Sequence, residues 1–227
     1  MTDISSRISE RLARLDACAV SDALDQLGLQ PSVTGLRPLS TSRRISGRVI
    51  TVRLVAGKPP EGQPARHLCA GAIDQAQAGD IIVVEHTSGA ECAGWGGILS
   101  NAARIKGLGG VVVDGLARDV DEARQIGFAV YARGATARTA RGRVYEVATA
   151  APLDIGGVTV CNGDYVVADA SGAAFVPAAS ISAVLTSAEA IAAKEGALTK
   201  AVLSGGKVSE IMGGVYEHML ERRDSDE

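Results

Sequence analysis

The chain has 227 residues, only 3% of them aromatic, and a formal net charge of −3 from 23 basic against 26 acidic side chains. This near balance gives no broad basic footprint for nucleic acid or an anionic membrane, and no uninterrupted apolar run reaches the roughly 20 residues that span a bilayer. The length suits one large domain (1–205) ending in a long helix, with an extension over 206–227, and an aliphatic core.

The N-terminal stretch MTDISSRISERLARL is amphipathic and has no apolar segment of the secretory kind, so a cytoplasmic protein is expected. A helix is predicted over 6–28, starting behind Ser5 or Ser6 and stopping at Gly28. Asp22 and Asp25 share one face of it and read as solvated charge. ISGRVITVRLV (45–55) is β-branched and alternating, hence a strand, and GKPPEGQP (57–64) is a loop. A second helix is predicted over 66–76, with Leu68, Ala72 and Ile73 on one face, followed by a strand over 81–85. FAVYARG (128–134) forms another strand. An Ala-rich helix is predicted from Pro177 to about Ser204, with Ile181, Val184, Leu185, Ala188, Ile191 and Ala192 as its apolar stripe. The tail ERRDSDE is read as a solvated end.

Residues 94–119, GWGGILSNAARIKGLGGVVVDGLARD, carry the chemistry. They read as a glycine loop, a helix, a buried strand (110–114) stopping at Gly115, and a charged turn. A glycine loop feeding a helix leaves the helix's first N–H groups unpaired and ready for a carboxylate or phosphate; Gly96, Gly97, Ile98 and Leu99 supply them. If the strands at 81–85 and 110–114 are parallel neighbours, both following loops leave from one carboxyl edge of the sheet. The anion-binding amides, Arg118 and Asp119 then share one crevice. A carboxylate at such an edge suits a hard cation such as Mg²⁺, which keeps several waters and needs only one or two protein oxygens.

Other motifs fall away. The loop at 94–97 is not a dinucleotide fingerprint, because Leu99 stands where the last glycine is required, so a nicotinamide cofactor or S-adenosylmethionine is not supported. GGKVSE (205–210) is not a phosphate-binding P-loop, and no GxSxG elbow is present. His67, His86 and His218 lack metal-ligand spacing and read as loop or surface residues. Cys18, Cys69, Cys92 and Cys161 are widely separated and read as reduced, buried packing residues. Trp95 reads as packing, while Arg133, Arg138 and loop 57–64 are left without an assigned role. GDIIVVEHTSGAE (79–91) is echoed by GDYVVADASGAAF (163–175), which argues for a mixed sheet or two packed sheets.

From VSDALDQLG (20–28) through the 94–119 segment to NGDYVVADASGAAFVP and AAKEG (192–196), the chain resembles the RraA-like family. Within it, the chain is similar to the class II 4-hydroxy-4-methyl-2-oxoglutarate and 4-carboxy-4-hydroxy-2-oxoadipate aldolases, which also decarboxylate oxaloacetate. The resemblance implies a single α/β domain with a central mixed β-sandwich or barrel-like sheet flanked by helices, of the swivelling β/β/α type. It implies trimers or hexamers with sites between subunits. By the same resemblance Asp119 would hold Mg²⁺, Mn²⁺ or another divalent cation, and Arg118 would lie beside a small 2-oxo acid. The amides of Ile98 and Leu99 would take its carboxylate, and Glu195 from a neighbouring subunit would steady metal-bound water. The expected reaction is retro-aldol cleavage or decarboxylation to pyruvate. One departure is Gly97, where the aldolases usually carry an acid. The rival reading is a non-catalytic regulator of the type that binds and inhibits RNase E; such regulators typically lack the aspartate kept here as Asp119.

Overall fold

The computed structural model describes residues 4–62 and 67–213. Residues 63–66, among them the expected helix start Arg66, lie outside the described residues, as do His218, the tail ERRDSDE and most of the 206–227 extension.

Two helices, α1 (Ile4–Leu12) and α2 (Ala17–Gln26), stand in place of the single helix expected over 6–28. The break has a local cause. Asp16 is extended and caps α2, its Oδ1 accepting the Ala19 N–H at 2.8 Å. As expected, the helical stretch ends at Gly28, in the left-handed conformation at φ 63°.

The following elements are β1 (Arg37–Pro38), β2 (Ile45–Ala56), α3 (Ala70–Gln75), β3 (Ile81–Glu85), β4 (Ala93–Trp95), α4 (Gly97–Lys106), β5 (Gly110–Ala117) and α5 (Val120–Gln125). Then come β6 (Val130–Ala135), β7 (Val144–Thr149), the hairpin β8 (Leu153–Ile155) and β9 (Val158–Val160), β10 (Tyr165–Asp169), β11 (Gly172–Val176), α6 (Ile181–Leu203) and α7 (Val208–Ile211).

The main sheet runs β1-β6-β5-β3-β2-β10-β11. Strands β6, β5, β3 and β2 are parallel neighbours, whereas β10 and β11 add antiparallel. The long β2 joins the halves, pairing through Ile45–Arg48 with β10 and through its later residues with β3 and β7. The result is a single α/β domain with a nearly closed mixed sheet flanked by helices.

Burial explains the near-continuous Val and Ile of the central strands. Ile82, Val84, Val111 and Val113 pack with Ala72, Ile73, Leu99 and Ala103 beneath α3 and α4. The alternate residues Ile81, Val83 and Val112 face inward against Ile155, Val160 and Phe175. A third core lies outside β10 and β11, where Val167 and Val176 meet Val20, Leu24, Val184 and Leu185 of α2 and α6.

The two halves of the internal echo become β3 and β10, one in the parallel and one in the antiparallel part of the sheet. Each Gly-Asp turn is closed by its aspartate. Asp80 Oδ2 accepts the Gln77 N–H at 2.8 Å, and Asp164 Oδ2 accepts the Cys161 N–H at 2.7 Å.

Several expectations are corrected. The helix expected over 66–76 is confined to Ala70–Gln75, because Cys69 before it is left-handed at φ 62°. Strand β5 does not stop at Gly115 but shifts register after Val113 and runs to Ala117, where β4 pairs beside it. Only Cys69 and Cys92 are buried; Cys18 and Cys161 are exposed, Cys18 on the outer side of α2 and Cys161 in the turn before Asp164. His86 is buried, not at the surface, and its Nε2–H donates to the Cys92 carbonyl at 2.6 Å. Among the described residues no helix is long and apolar enough to cross a membrane.

Candidate active site

Strands β3 and β5 are parallel in register, Glu85 opposite Asp114, so the segments that follow them emerge from one edge of the sheet. The first leads through β4 to α4, the second to Arg118 and Asp119. One contact joins them here and two brace the first from within. The Arg118 N–H donates to the Trp95 carbonyl at 3.0 Å. Trp95 Nε1–H donates to Ser100 Oγ at 2.9 Å, and the Ser100 hydroxyl in turn donates to the Gly96 carbonyl at 3.1 Å. Trp95 is buried and stacked on Phe128, so it packs as expected and braces the helix start from behind.

Asp119 precedes α5 in the left-handed conformation, φ 56°. Aspartate tolerates that region better than most residues, and outliers of this kind gather at functional sites. The turn also redirects its carboxylate. It does not cap α5; its Oδ2 instead accepts the Gly97 N–H of α4 at 2.8 Å. Arg118 Nε lies 3.3 Å from the same oxygen, and both side chains are a little over one-third exposed, at 36% and 38%. A methyl group on Gly96 would lie 3.0 Å from Asp119 Oδ2 and 3.2 Å from Arg118 Nε, so any side chain at position 96 would press on both.

The geometry divides the expected anion-binding amides. The Gly97 N–H is occupied by Asp119, so it is not available to a ligand. The amides of Ile98 and Leu99 meet no acceptor among the described residues, as befits the first turn of a helix. The Ile98 side chain is 73% exposed. These amides and Arg118 open on a cleft of about 940 Å³, walled by α3, β4 and β7. The expectation of one crevice shared by the amides, Arg118 and Asp119 is corrected in part: Asp119 borders Gly96 and Gly97 from the α5 side and does not itself line the cleft, because its carboxylate is turned onto the Gly97 N–H.

Among the described residues no three His, Cys, Asp or Glu side chains cluster as a metal site. A cation here would have at most one or two carboxylates. Asp119 fits such a role: one oxygen is held by an amide and an arginine, and the other has no partner among the described residues. A hard oxygen donor backed by this arrangement suits Mg²⁺ or Mn²⁺ retaining most of its water.

Glu195 stands elsewhere in the chain. It is half-buried on α6, and burial, followed by the nearby Asp22 and Asp16 of α2, pushes its carboxyl above the usual carboxylate range. Asp22 is likewise raised, first by burial and then by Asp25 and Asp16, so it is not the freely solvated charge expected. Glu195 does not line the cleft of its own chain.

Arg133 and Arg138 now have partners. Arg133 Nε donates to the buried Asp114 at 2.6 Å, and Arg138 donates to Glu91 at 3.1 Å on the surface. Sequence reading missed the β7 wall, Tyr145 to Thr149, although VYEVAT alternates as a strand should. It also missed Glu122 and Asn101. Glu122 lay hidden as one more acid in a first helical turn, and only the placement of α5 against α4 brings its carboxylate to Asn101, whose Nδ2 donates to it at 2.7 Å.

Comparison with known proteins agrees with this architecture. The chain is 29% identical over 210 residues to the protein DlpA of Legionella pneumophila, covering 92% of this chain but spanning only 34%, about a third, of DlpA. It is 29% identical over 162 residues to a Halalkalibacterium halodurans protein named "Putative 4-hydroxy-4-methyl-2-oxoglutarate aldolase", covering 70% of each. Among solved structures, Streptomyces coelicolor RraAS2, described as an unusual member of the RNase ES inhibitor RraA protein family, superposes with a TM-score of 0.75 at 26% identity, over 84% of this chain and 95% of that one. The Aldolase/RraA family model matches residues 17–175, from the start of α2 to the penultimate residue of β11, and the chain belongs to the RraA-like family.

Proposed function

We propose that the chain is a divalent-metal-dependent carbon–carbon lyase that cleaves a small 2-oxo acid to give pyruvate, by retro-aldol cleavage of a 4-hydroxy-2-oxo acid, by decarboxylation of oxaloacetate, or by both. One observation carries this reading: a partly exposed aspartate with a spare oxygen, an arginine and two open helix amides converge on Gly96 and Gly97. The relative named as an aldolase supports the same chemistry.

A bound Mg²⁺ or Mn²⁺ would supply Lewis-acid polarisation of the 2-oxo group. Asp119 would hold that ion through its spare oxygen, while its other oxygen stays fixed by Gly97. The amides of Ile98 and Leu99 would receive the substrate carboxylate at the positive end of α4. Arg118, whose terminal nitrogens meet no partner among the described residues, would lie against the negative charge that develops on the 2-oxo oxygen as the neighbouring carbon–carbon bond breaks. The cleft is far larger than a pyruvate unit needs, so the remainder of the substrate would extend along β7.

Glu195 enters from a second copy of the chain. Burial, then Asp22 and Asp16, raises this carboxyl above its usual range, which favours its holding a proton that it could pass on. Since Glu195 and the cleft are apart within one chain, the complete site would need a trimer or hexamer. We assign the reaction to the cytoplasm, which the four free cysteines suit.

The test is direct: incubate the full chain with oxaloacetate and Mg²⁺ and follow pyruvate with lactate dehydrogenase. Pyruvate forms, EDTA stops it, and added metal restores it. No pyruvate from oxaloacetate or from a panel of 4-hydroxy-2-oxo acids would remove the lyase reading.

The likeness to RraAS2 supports a second reading, a regulatory or protein-binding oligomer. The exposed Ile98 and Ile105, about two turns apart on α4, offer such a surface. Inhibition of an RNase E-type nuclease without pyruvate release would favour it.

A further inference from the structure

We infer that Glu122 is a second carboxylate of the same cation site, reaching it over the bare backbone of Gly97. The inference rests on the metal reading proposed above and adds to it a positioning residue on a different element.

Glu122 occupies the third position of α5, where an acid ordinarily folds back to cap its own helix. Here it does not. Its Oε1 accepts from Asn101 Nδ2 at 2.7 Å, and that same nitrogen donates to the Gly97 carbonyl at 2.9 Å. The side chain is thereby tied to the first turn of α4. Its other oxygen, Oε2, is left lying directly over Gly97: a methyl group on that residue would sit 2.0 Å from Oε2 and 2.6 Å from the carboxyl carbon. Gly97 is helical and needs no special backbone freedom, so its lack of a side chain serves this close approach.

Two acids from the start of α5 thus converge on one residue of α4. Asp119 takes the Gly97 N–H from one side, and Glu122 covers its Cα from the other. Neither caps α5, where they stand. Asp119 is held by the Gly97 N–H and Arg118, and Glu122 by Asn101, and each acid keeps one oxygen without a partner among the described residues. A hydrated Mg²⁺ or Mn²⁺ held by Asp119 would place water toward Glu122 Oε2, and an acceptor in that outer position orients the shell and strengthens binding.

The geometry makes a sharper statement. A side chain at position 97 would start where the Glu122 carboxyl now lies and would displace it, so an acid placed there would deliver its carboxylate to the same place. The carboxylate is therefore transferable.

The experiment is a Mn²⁺ titration of the full chain, with free Mn²⁺ read by EPR and melting temperature read alongside. Variants are Glu122→Gln, Glu122→Ala, the double variant Gly97→Asp with Glu122→Ala, and Asp119→Asn. Glu122→Gln keeps the bond from Asn101 and should weaken Mn²⁺ about 10-fold or more with little change in melting temperature. Glu122→Ala should weaken it at least as much. The double variant should recover affinity to within about 3-fold of the parent, an outcome that no merely structural role for Glu122 predicts. If Asp119→Asn loses Mn²⁺ while Glu122→Gln keeps it, or if the double variant stays as weak as Glu122→Ala, Glu122 is not part of the site and the metal reading survives. If the parent and Asp119→Asn bind Mn²⁺ alike, both fall together.

Discussion

Two Arg–Asp pairs sit along the same stretch of β5 and its exit, and they do opposite things. Asp114, 4% exposed, spends both oxygens: Oδ1 takes Arg133 Nε at 2.6 Å, and Oδ2 takes the Gly156 N–H at 2.9 Å. Arg133 also donates to the Thr34 carbonyl. Both carboxylate oxygens are filled, so this pair ties β5, β6 and the β8–β9 hairpin together. Asp119, 38% exposed, has one oxygen filled and one spare, and Arg118 touches it through Nε alone. What separates architecture from chemistry here is not residue type or location but saturation: a satisfied ion pair holds the fold, and an unsatisfied one is available to a ligand.

Substitutions that move the two pairs apart sharpen the contrast. Asp119→Asn should lower metal-dependent pyruvate formation more than about 100-fold while leaving the melting temperature nearly unchanged, measured by the coupled assay and calorimetry. Asp114→Ala should do the reverse. Leaving the Arg133 charge without its partner costs about 2–3 kcal/mol in denaturant unfolding, less than the roughly 3–5 kcal/mol of a fully buried pair because Arg133 is about one-third exposed. Mn²⁺ binding should survive in the Asp114 variant under conditions where it is folded. Were Asp114→Ala to lose metal without losing stability, the division between the pairs would be wrong.

A smaller effect is expected at Arg118→Lys, which keeps the charge but cannot present the planar fork to a carboxylate. The rate should fall about 10-fold or more with stability unchanged. Smallest in stability is Glu195→Gln. The Glu195 carboxyl is raised in the folded chain, first by burial and then by Asp22 and Asp16. The protonated form is thus the one the fold favours, and the charged form costs stability once pH exceeds the raised value. Removing the charge should slightly raise the melting temperature at pH 7, an effect that fades as pH falls through the raised value and vanishes below about pH 3, where Glu195 is protonated in both states. The same variant should lose pyruvate formation if Glu195 serves a neighbouring subunit's site.

How much of this was legible in the sequence follows from how local each cause is. The βα order of 81–119 and the long helix α6 came through because apolar periodicity and glycine stops act within a few residues. The break at Asp16 was also local, an N-cap that a continuous helical pattern concealed. The β8–β9 hairpin was announced by Gly156-Gly157, both at positive φ, and went unread beside the longer elements. The pairing of Arg133 with Asp114 was beyond local reading, since burial against a hairpin 40 residues onward decides it. Glu122 was equally hidden, because its meaning depends on how α5 lies against α4, not on its neighbours in the chain. The motif GLARD is visible in the chain, whereas the partners that fill or leave open each carboxylate are a property of the folded sheet.

The most direct measurement is a crystal structure of the full chain with Mn²⁺ and oxalate, a planar stand-in for the enolate of pyruvate, using the anomalous signal of manganese. The account predicts a manganese peak at the spare oxygen of Asp119, with oxalate on the ion, its far carboxylate on the amides of Ile98 and Leu99, and Arg118 alongside. Manganese bound elsewhere, or oxalate seated without contact to α4, would contradict it.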